Sequence, residues 1–168
     1  LGNPPWGVLD KKSKEIISNW CMEKKFPIGD IEPSQAFIAR STFLLKENSI
    51  VGLLVSSGIF FKRVKSNLFR DKWLNENTLK KIINFDHVRD IFFSGGRKKD
   101  VISPFASVIF TNEKPNQNNA FEYWTAKKIS NLNNTKIVIL HKTDLKIVNQ
   151  ADTLSNPDLW KIYWWGGH

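Results

Sequence analysis

Residues 50–55, Ile50-Val51-Gly52-Leu53-Leu54-Val55, form an unbroken apolar run of strand length. A strand with one solvated face alternates apolar and polar residues. A continuous run instead fits a strand buried on both faces, as in a parallel sheet covered by helices. The run continues to Phe61 only across Ser56-Ser57-Gly58, so it is too short to cross a bilayer. This segment predicts an α/β fold, and the remaining elements are read around it.

Before the run, residues 8–21 mix lysines with Ile16, Ile17 and Trp20, which suits a short surface helix. Phe26-Pro27-Ile28-Gly29-Asp30 reads as a loop. A helix is predicted from Pro33-Ser34, with Ser34 as its N-cap, to about Lys46. After residues 49–56 as strand, Gly58-Ile59-Phe60 turns the chain. Val64, Leu68, Trp73 and Leu74 then mark a second amphipathic helix, and residues 78–85 and 101–111 read as strands. Ser94-Gly95-Gly96-Arg97-Lys98-Lys99-Asp100 is a basic loop before the last of these. The order matches the second half of an α/β sheet ending in an antiparallel pair. From Glu113 the chain reads as a polar linker and an Asn-rich, irregular extension with one strand at 136–140. A tryptophan-rich end follows, expected as core or as an interface.

The chain has 168 residues, with 25 Lys and Arg against 16 Asp and Glu, a formal charge of +9. That surplus runs through both halves of the sequence and favours a polyanionic partner, nucleic acid first. One cysteine, Cys21, excludes an intrachain disulfide framework and a cysteine zinc site. Its default setting is a reducing, cytoplasmic one, and no membrane span is expected. His87, His141 and His168 show no metal-ligand spacing.

Chemistry concentrates in Asn3-Pro4-Pro5-Trp6. An exocyclic amino group on a base is a poor nucleophile, because its lone pair is delocalised into the ring. Acceptors on both of its N–H bonds localise that pair. An Asn side-chain oxygen and the next backbone carbonyl can supply them if the backbone is rigid. Consecutive prolines give the rigidity, and the first also holds Asn3 extended. An aromatic residue after them offers a face on which a planar base can stack. By itself the tetrad fits a simple turn about as well.

The motifs that follow make the sequence resemble the adenine-N6 DNA methyltransferases of restriction–modification systems, the Eco57I-like enzymes with an Asn-Pro-Pro-aromatic loop. The resemblance rests on Phe43-Leu44-Leu45-Lys46-Glu47-Asn48, then Gly52-Leu53-Leu54-Val55-Ser56-Ser57-Gly58-Ile59-Phe60. Leu68-Phe69-Arg70-Asp71-Lys72-Trp73-Leu74, Ile82-Ile83-Asn84-Phe85 and the strand at 101–110 come after, in family order. Trp6, where Tyr or Phe is usual, and Ser56, where Pro is common, are minor departures.

The resemblance implies the C-terminal half of a Rossmann-like class I methyltransferase sheet with a terminal antiparallel hairpin, plus an irregular extension. Residues 1–112 would be the target-base half of the catalytic domain. Residues 113–168 would be a linker and the start of a target-recognition or C-terminal region. Asn3 and the Pro4 carbonyl would accept from the target amino group, with Pro5 rigidifying the loop and Trp6 stacking on the base. Phe92 or Phe93 would contact the flipped base. Lys62, Arg63 and Lys65, with Arg97, Lys98 and Lys99, would lie near the DNA backbone. S-adenosyl-L-methionine is the cofactor implied. Its main binding loop belongs upstream of the tetrad, so the expected partners are double-stranded DNA and an N-terminal half of the same protein, and the fragment alone is expected to be inactive. The same loop also suits a methyltransferase of RNA or of protein amides, and a non-catalytic DNA-binding remnant of the fold remains open.

Overall fold

The structure is a computed structural model that describes residues 1–5, 9–62, 66–92, 104–130 and 136–165. Five strands make one mixed sheet: β1 (Ile50–Ser56), β2 (Thr78–Asn84), β3 (Phe105–Thr111), β4 (Ala120–Thr125) and β7 (Leu145–Asn149). Their spatial order is β1-β3-β2-β4-β7. β3 runs antiparallel between β1 and β2, the antiparallel close that the sequence predicts. β4 lies parallel to β2, and β7 antiparallel to β4. A separate antiparallel hairpin joins β5 (Lys127–Ser130) to β6 (Lys136–Ile139).

Register decides which side chains share a face. Val51, Leu53 and Val55 pair with Phe110, Val108 and Ala106, which in turn sit opposite Leu79, Ile82 and Asn84. This face, continued by Phe121, Tyr123 and Val148, carries the core. Helices α1 (Lys11–Glu23), α2 (Pro33–Leu44), α3 (Gly58–Phe61), α4 (Asn67–Glu76), α5 (Arg89–Phe92), α6 (Gln150–Ser155) and α7 (Leu159–Trp165) complete the described elements, with two single 3-10 turns. Ile38 and Ala39 of α2, Phe60 of α3, Phe69 and Trp73 of α4, and Trp160 and Trp164 of α7 all join that core. On the opposite face Leu54, Ser107, Ile109, Ile83 and Trp124 are half-buried and Ile147 is exposed. The two-sided burial expected of the apolar run therefore holds on one side only, the face against which the described helices that join the core pack.

Local chemistry explains the element ends. Asp10 caps α1 by accepting from the Ser13 amide (2.8 Å) and hydroxyl (2.9 Å). α2 starts with Pro33 at its first position, where the missing N–H costs nothing. Its cap is Glu32, which accepts from the Gln35 amide at 3.1 Å, and this corrects the expectation for Ser34. Ser34 lies inside the helix, fully buried, and accepts from the Ser56 amide at 3.1 Å, joining α2 to the end of β1. Gly58-Ile59-Phe60, read from sequence as a turn, is one turn of helix. Buried Arg70 donates to the Ile59 and Lys62 carbonyls at its end (3.0 and 2.8 Å).

The largest difference from the sequence reading lies after Glu113. Two strands extend the main sheet, a hairpin stands beside them, and two helices follow, where an irregular extension with one strand is expected. β4 alternates Phe121, Tyr123 and Thr125 inward with Glu122 and Trp124 outward, the period-two pattern of a strand with one covered face. The tryptophan-rich end is core: Trp160 stacks on Phe121 and Trp164 on Phe60.

Candidate base-binding site

Leu1-Gly2 runs alongside the free edge of β1. The Gly2 amide donates to the Gly52 carbonyl (2.9 Å), and the Leu54 amide donates to the Gly2 carbonyl (3.0 Å), a parallel bridge. Gly52 leaves room for this approach, since a Cβ there would sit 2.6 Å from Leu1. The bridge fixes where the next residues go. Asn3, Pro4 and Pro5 line a cavity of about 520 Å³ together with Leu54, Phe85, Phe92 and Phe105. Its walls come from the C-terminal ends of β1 and β2, the side of an open α/β sheet where ligands bind.

Three phenylalanines make the apolar part. Phe85 and Phe105 stack, with centroids 5.3 Å apart and planes 15° apart. Phe92 meets both rings edge-on at 5.6 Å. Phe105 is buried, whereas Phe92 leaves half its surface exposed (51%). The Phe85 amide donates to the Phe105 carbonyl at 3.1 Å, so β-pairing sets the stack. Asn3 is exposed and Pro4 buried. The lining thus combines three aromatic rings with Asn3 and two prolines, a composition suited to a planar aromatic ligand.

Beneath the cavity lies a buried polar chain. Asp86, just after Phe85, accepts from the Ser57 hydroxyl at 3.0 Å and from the Trp164 indole N–H. Its amide donates to the Asn84 side chain (2.9 Å), and the Asn84 amide group donates to the Tyr123 hydroxyl (3.0 Å). Burial pushes the Asp86 carboxyl up from its ordinary value, partly opposed by the Trp164 and Ser57 hydrogen bonds and by the Arg89 charge. Burial likewise raises the Tyr123 phenol, against the Asn84 hydrogen bond.

Of the residues singled out from sequence, Asn3, Pro4, Pro5 and Phe92 converge on this cavity. Trp6, Phe93, Arg63, Lys65, Arg97, Lys98 and Lys99 lie outside the described residues. Lys62 is exposed after α3, beside Glu32, and is not among the residues lining the cavity. Sequence reading missed Leu54, Phe85, Phe105 and Asp86. Phe85 and Phe105 carried a faint signal, since each stands at the end of a strand.

Among the described residues no glycine-rich strand-to-helix loop faces the cavity. The turn at Ser57-Gly58 is filled by Lys62, whose side chain lies 3.0 Å from where a Gly58 Cβ would be. The described residues do not, alone, fit a methyl-donor cofactor. No group of His, Cys, Asp and Glu among them could hold a metal ion, and no described helix is long and apolar enough to cross a membrane.

Solved structures share this fold. The methyltransferase subunit of a type I restriction–modification system from Streptococcus thermophilus superposes with a TM-score of 0.59 at 16% identity. It covers 96% of this chain and 36% of that one. A modification subunit of a type I restriction enzyme from Vibrio vulnificus gives 0.54 at 18% identity, over 95% of this chain and 30% of that one. The type IIG restriction endonuclease BpuSI gives 0.54 at 12% identity, over 96% and 19%. The chain thus spans about a third or less of the length of these proteins. No curated protein sequence matches it. A family model for the Eco57I restriction-modification methylase matches residues 1–92, more than half of the sequence and all of the strand-edge segment that carries Asn3-Pro4-Pro5. The chain belongs to that methylase family.

Proposed function

We propose that the full-length protein methylates adenine N6 in double-stranded DNA as part of a restriction–modification system, with S-adenosylmethionine as donor, and that the cavity at Asn3 receives the target base. The observation that carries this reading is the convergence of Asn3, Pro4 and Pro5 with Phe85, Phe92 and Phe105 on one cavity. Asn3 Oδ1 and the Pro4 carbonyl oxygen accept from the two N–H bonds of the amino group. This draws the nitrogen toward tetrahedral geometry and exposes its lone pair. The phenylalanines receive the base plane. A base reaches such a pocket only by leaving the duplex stack, which costs a few kcal/mol that stacking and backbone contacts offset. The basic residues Arg97, Lys98 and Lys99 suit the backbone part, as do Lys62, Arg63 and Lys65.

The test is product identity. Full-length protein incubated with labelled donor and duplex DNA, followed by digestion to nucleosides, should yield N6-methyladenine. Label in cytosine, in RNA or in a protein amide would overturn the assignment.

A further inference from the structure

We infer that Asp86, held by Ser57 and Trp164, is a positioning residue for the base pocket: it fixes the segment 85–92 so that Phe85 and Phe92 face Asn3. The inference rests on the reading of the cavity as a base pocket and adds the part of the molecule that shapes it.

The geometry is specific. Phe85 precedes Asp86, and Phe92 ends the short helix that follows it. The Asp86 carboxylate is gripped from two remote places, Ser57 at the end of β1 and Trp164 in α7, 78 residues further along the chain. Ser57 also donates its amide to the Pro104 carbonyl at 3.0 Å, next to the pocket residue Phe105. The same segment is tied at its outer end. Asp90 accepts from Lys128 of β5 (3.0 Å) and Lys136 of β6 (3.4 Å). The region after residue 113 therefore reaches the pocket through Trp164 at one end of this segment and through the hairpin at the other.

A buried carboxylate is an expensive way to fill space, since burying a charge costs far more than burying an apolar group of similar volume. Asp86 is only 8% exposed, and the side chains that donate to it, Ser57 and Trp164, are both uncharged. An apolar residue would pack there at lower cost, but it would not set the direction in which the chain leaves β2. The carboxylate does, because its two oxygens are aimed at two fixed donors while its amide is held by Asn84.

The experiment uses full-length protein with two duplexes: one with adenine at the target position, on which methyl transfer is measured, and one with 2-aminopurine there, which lacks the 6-amino group and whose emission rises when the base unstacks. Trp164→Phe keeps the ring and removes the N–H donor, and Asp86→Asn replaces one acceptor oxygen by a donor. Both should lower kcat about tenfold or more, leave KM for DNA within about threefold and reduce the emission rise, because misplacing a pocket by about 1 Å costs up to a hundredfold in rate. Asn149→Ala, a helix-cap change remote from the cavity, serves as the control for lost stability alone. Ser57→Ala, a milder change, keeps the test open if Asp86→Asn does not fold. A kcat loss in Trp164→Phe and Ser57→Ala no greater than in Asn149→Ala would overturn the inference. If wild-type protein gives no emission rise and Asn3→Ala stays active, the base-pocket reading itself has failed. With those two intact, wild-type kcat in Trp164→Phe and Ser57→Ala refutes the positioning role alone.

Discussion

Phe92 and Asp86 sit six residues apart and carry opposite kinds of consequence. Phe92 is half exposed and touches Phe85 and Phe105 by its edges, so Phe92→Ala should cost roughly 1 kcal/mol of stability, as expected for losing partly exposed aromatic contacts. Methylation should fall much further than stability, which chemical denaturation and single-turnover rates on the full-length protein would separate. Asp86 is a matter of pH. Its carboxyl titrates above its ordinary value of 3.8 in the folded chain, so the unfolded chain loses that proton first as pH rises. The stability linked to it is present below that value and is lost as pH climbs through the raised folded value. Asp90 runs the other way, lowered by the Lys128 hydrogen bond; its contribution fades as pH falls, and solvent screening of the half-exposed side chain keeps it small. Asp86→Asn should flatten the decline in stability that sets in as pH rises above the ordinary carboxyl value of 3.8, measured by urea unfolding from acid to neutral pH. An unchanged profile would show that another group titrates there. At this scale the sequence singled out Asn3-Pro4-Pro5, because a rigid acceptor loop is written in consecutive residues, and Phe92 or Phe93 through the family resemblance; of these, Asn3, Pro4, Pro5 and Phe92 line the cavity. Phe85, Phe105 and Asp86 acquire their roles only through strand register and through Trp164, neither of which is local.

Among the elements, β2 shows how the region after residue 113 joins the rest. Its pairing with β3 shifts register between Leu79 and Lys81. The displaced backbone is satisfied by side chains: Gln150 accepts from the Leu79 amide (2.8 Å), and Asn119 donates to the Leu79 carbonyl (3.1 Å). Gln150 also donates to the Leu74 and Asn77 carbonyls at the end of α4 (2.7 and 2.8 Å), and it is almost fully buried. Gln150→Ala leaves several buried groups unpaired at once, each costing about 1–3 kcal/mol, so a loss of roughly 3 kcal/mol or more is expected by denaturant titration. A loss below 1 kcal/mol would mean that water replaces the side chain easily. Asn149 caps α6 by accepting from the Ala151 and Asp152 amides, and Asn149→Ala should cost about 1 kcal/mol. The elements α1, α2, α4, β1, β2 and β3 were legible from a cap, a proline, an apolar run or amphipathic spacing, whereas α3 reads from sequence as a turn and α5 is not foreseen. β4 was legible in principle, through the alternation Phe121-Glu122-Tyr123-Trp124-Thr125, but the polar residues on both sides concealed it. β7 and α6 depend on Gln150 reaching back to α4, a contact that no local pattern announces.

At the scale of the molecule, the sheet has one face under helices and one half-covered, and the cavity opens at its strand ends. The chain as a whole carries a formal net charge of +9. If Arg97, Lys98 and Lys99 each neutralise one phosphate, their joint replacement by Ala should reduce the slope of log affinity against log salt by about 2.7, at about 0.9 per contact. Titrations of full-length protein with duplex DNA between 50 and 200 mM salt, taken only as convenient ionic strengths, would read it. An unaltered slope would remove this loop from the DNA contact. The α/β class was legible from the apolar run at residues 50–55, whereas its half-covered state was not, since a strand's own residues do not say what packs on each face.

On the proposed function, Asn3 and the Pro4 carbonyl hold the amino group that is methylated. Asn3→Ala in the full-length protein removes one of the two acceptors and leaves the phenylalanine walls intact. Methyl transfer to duplex DNA should fall by a hundredfold or more, the scale seen when one polar partner of a reacting group is removed, while donor binding by calorimetry stays within about threefold. Transfer at the wild-type rate would contradict the account.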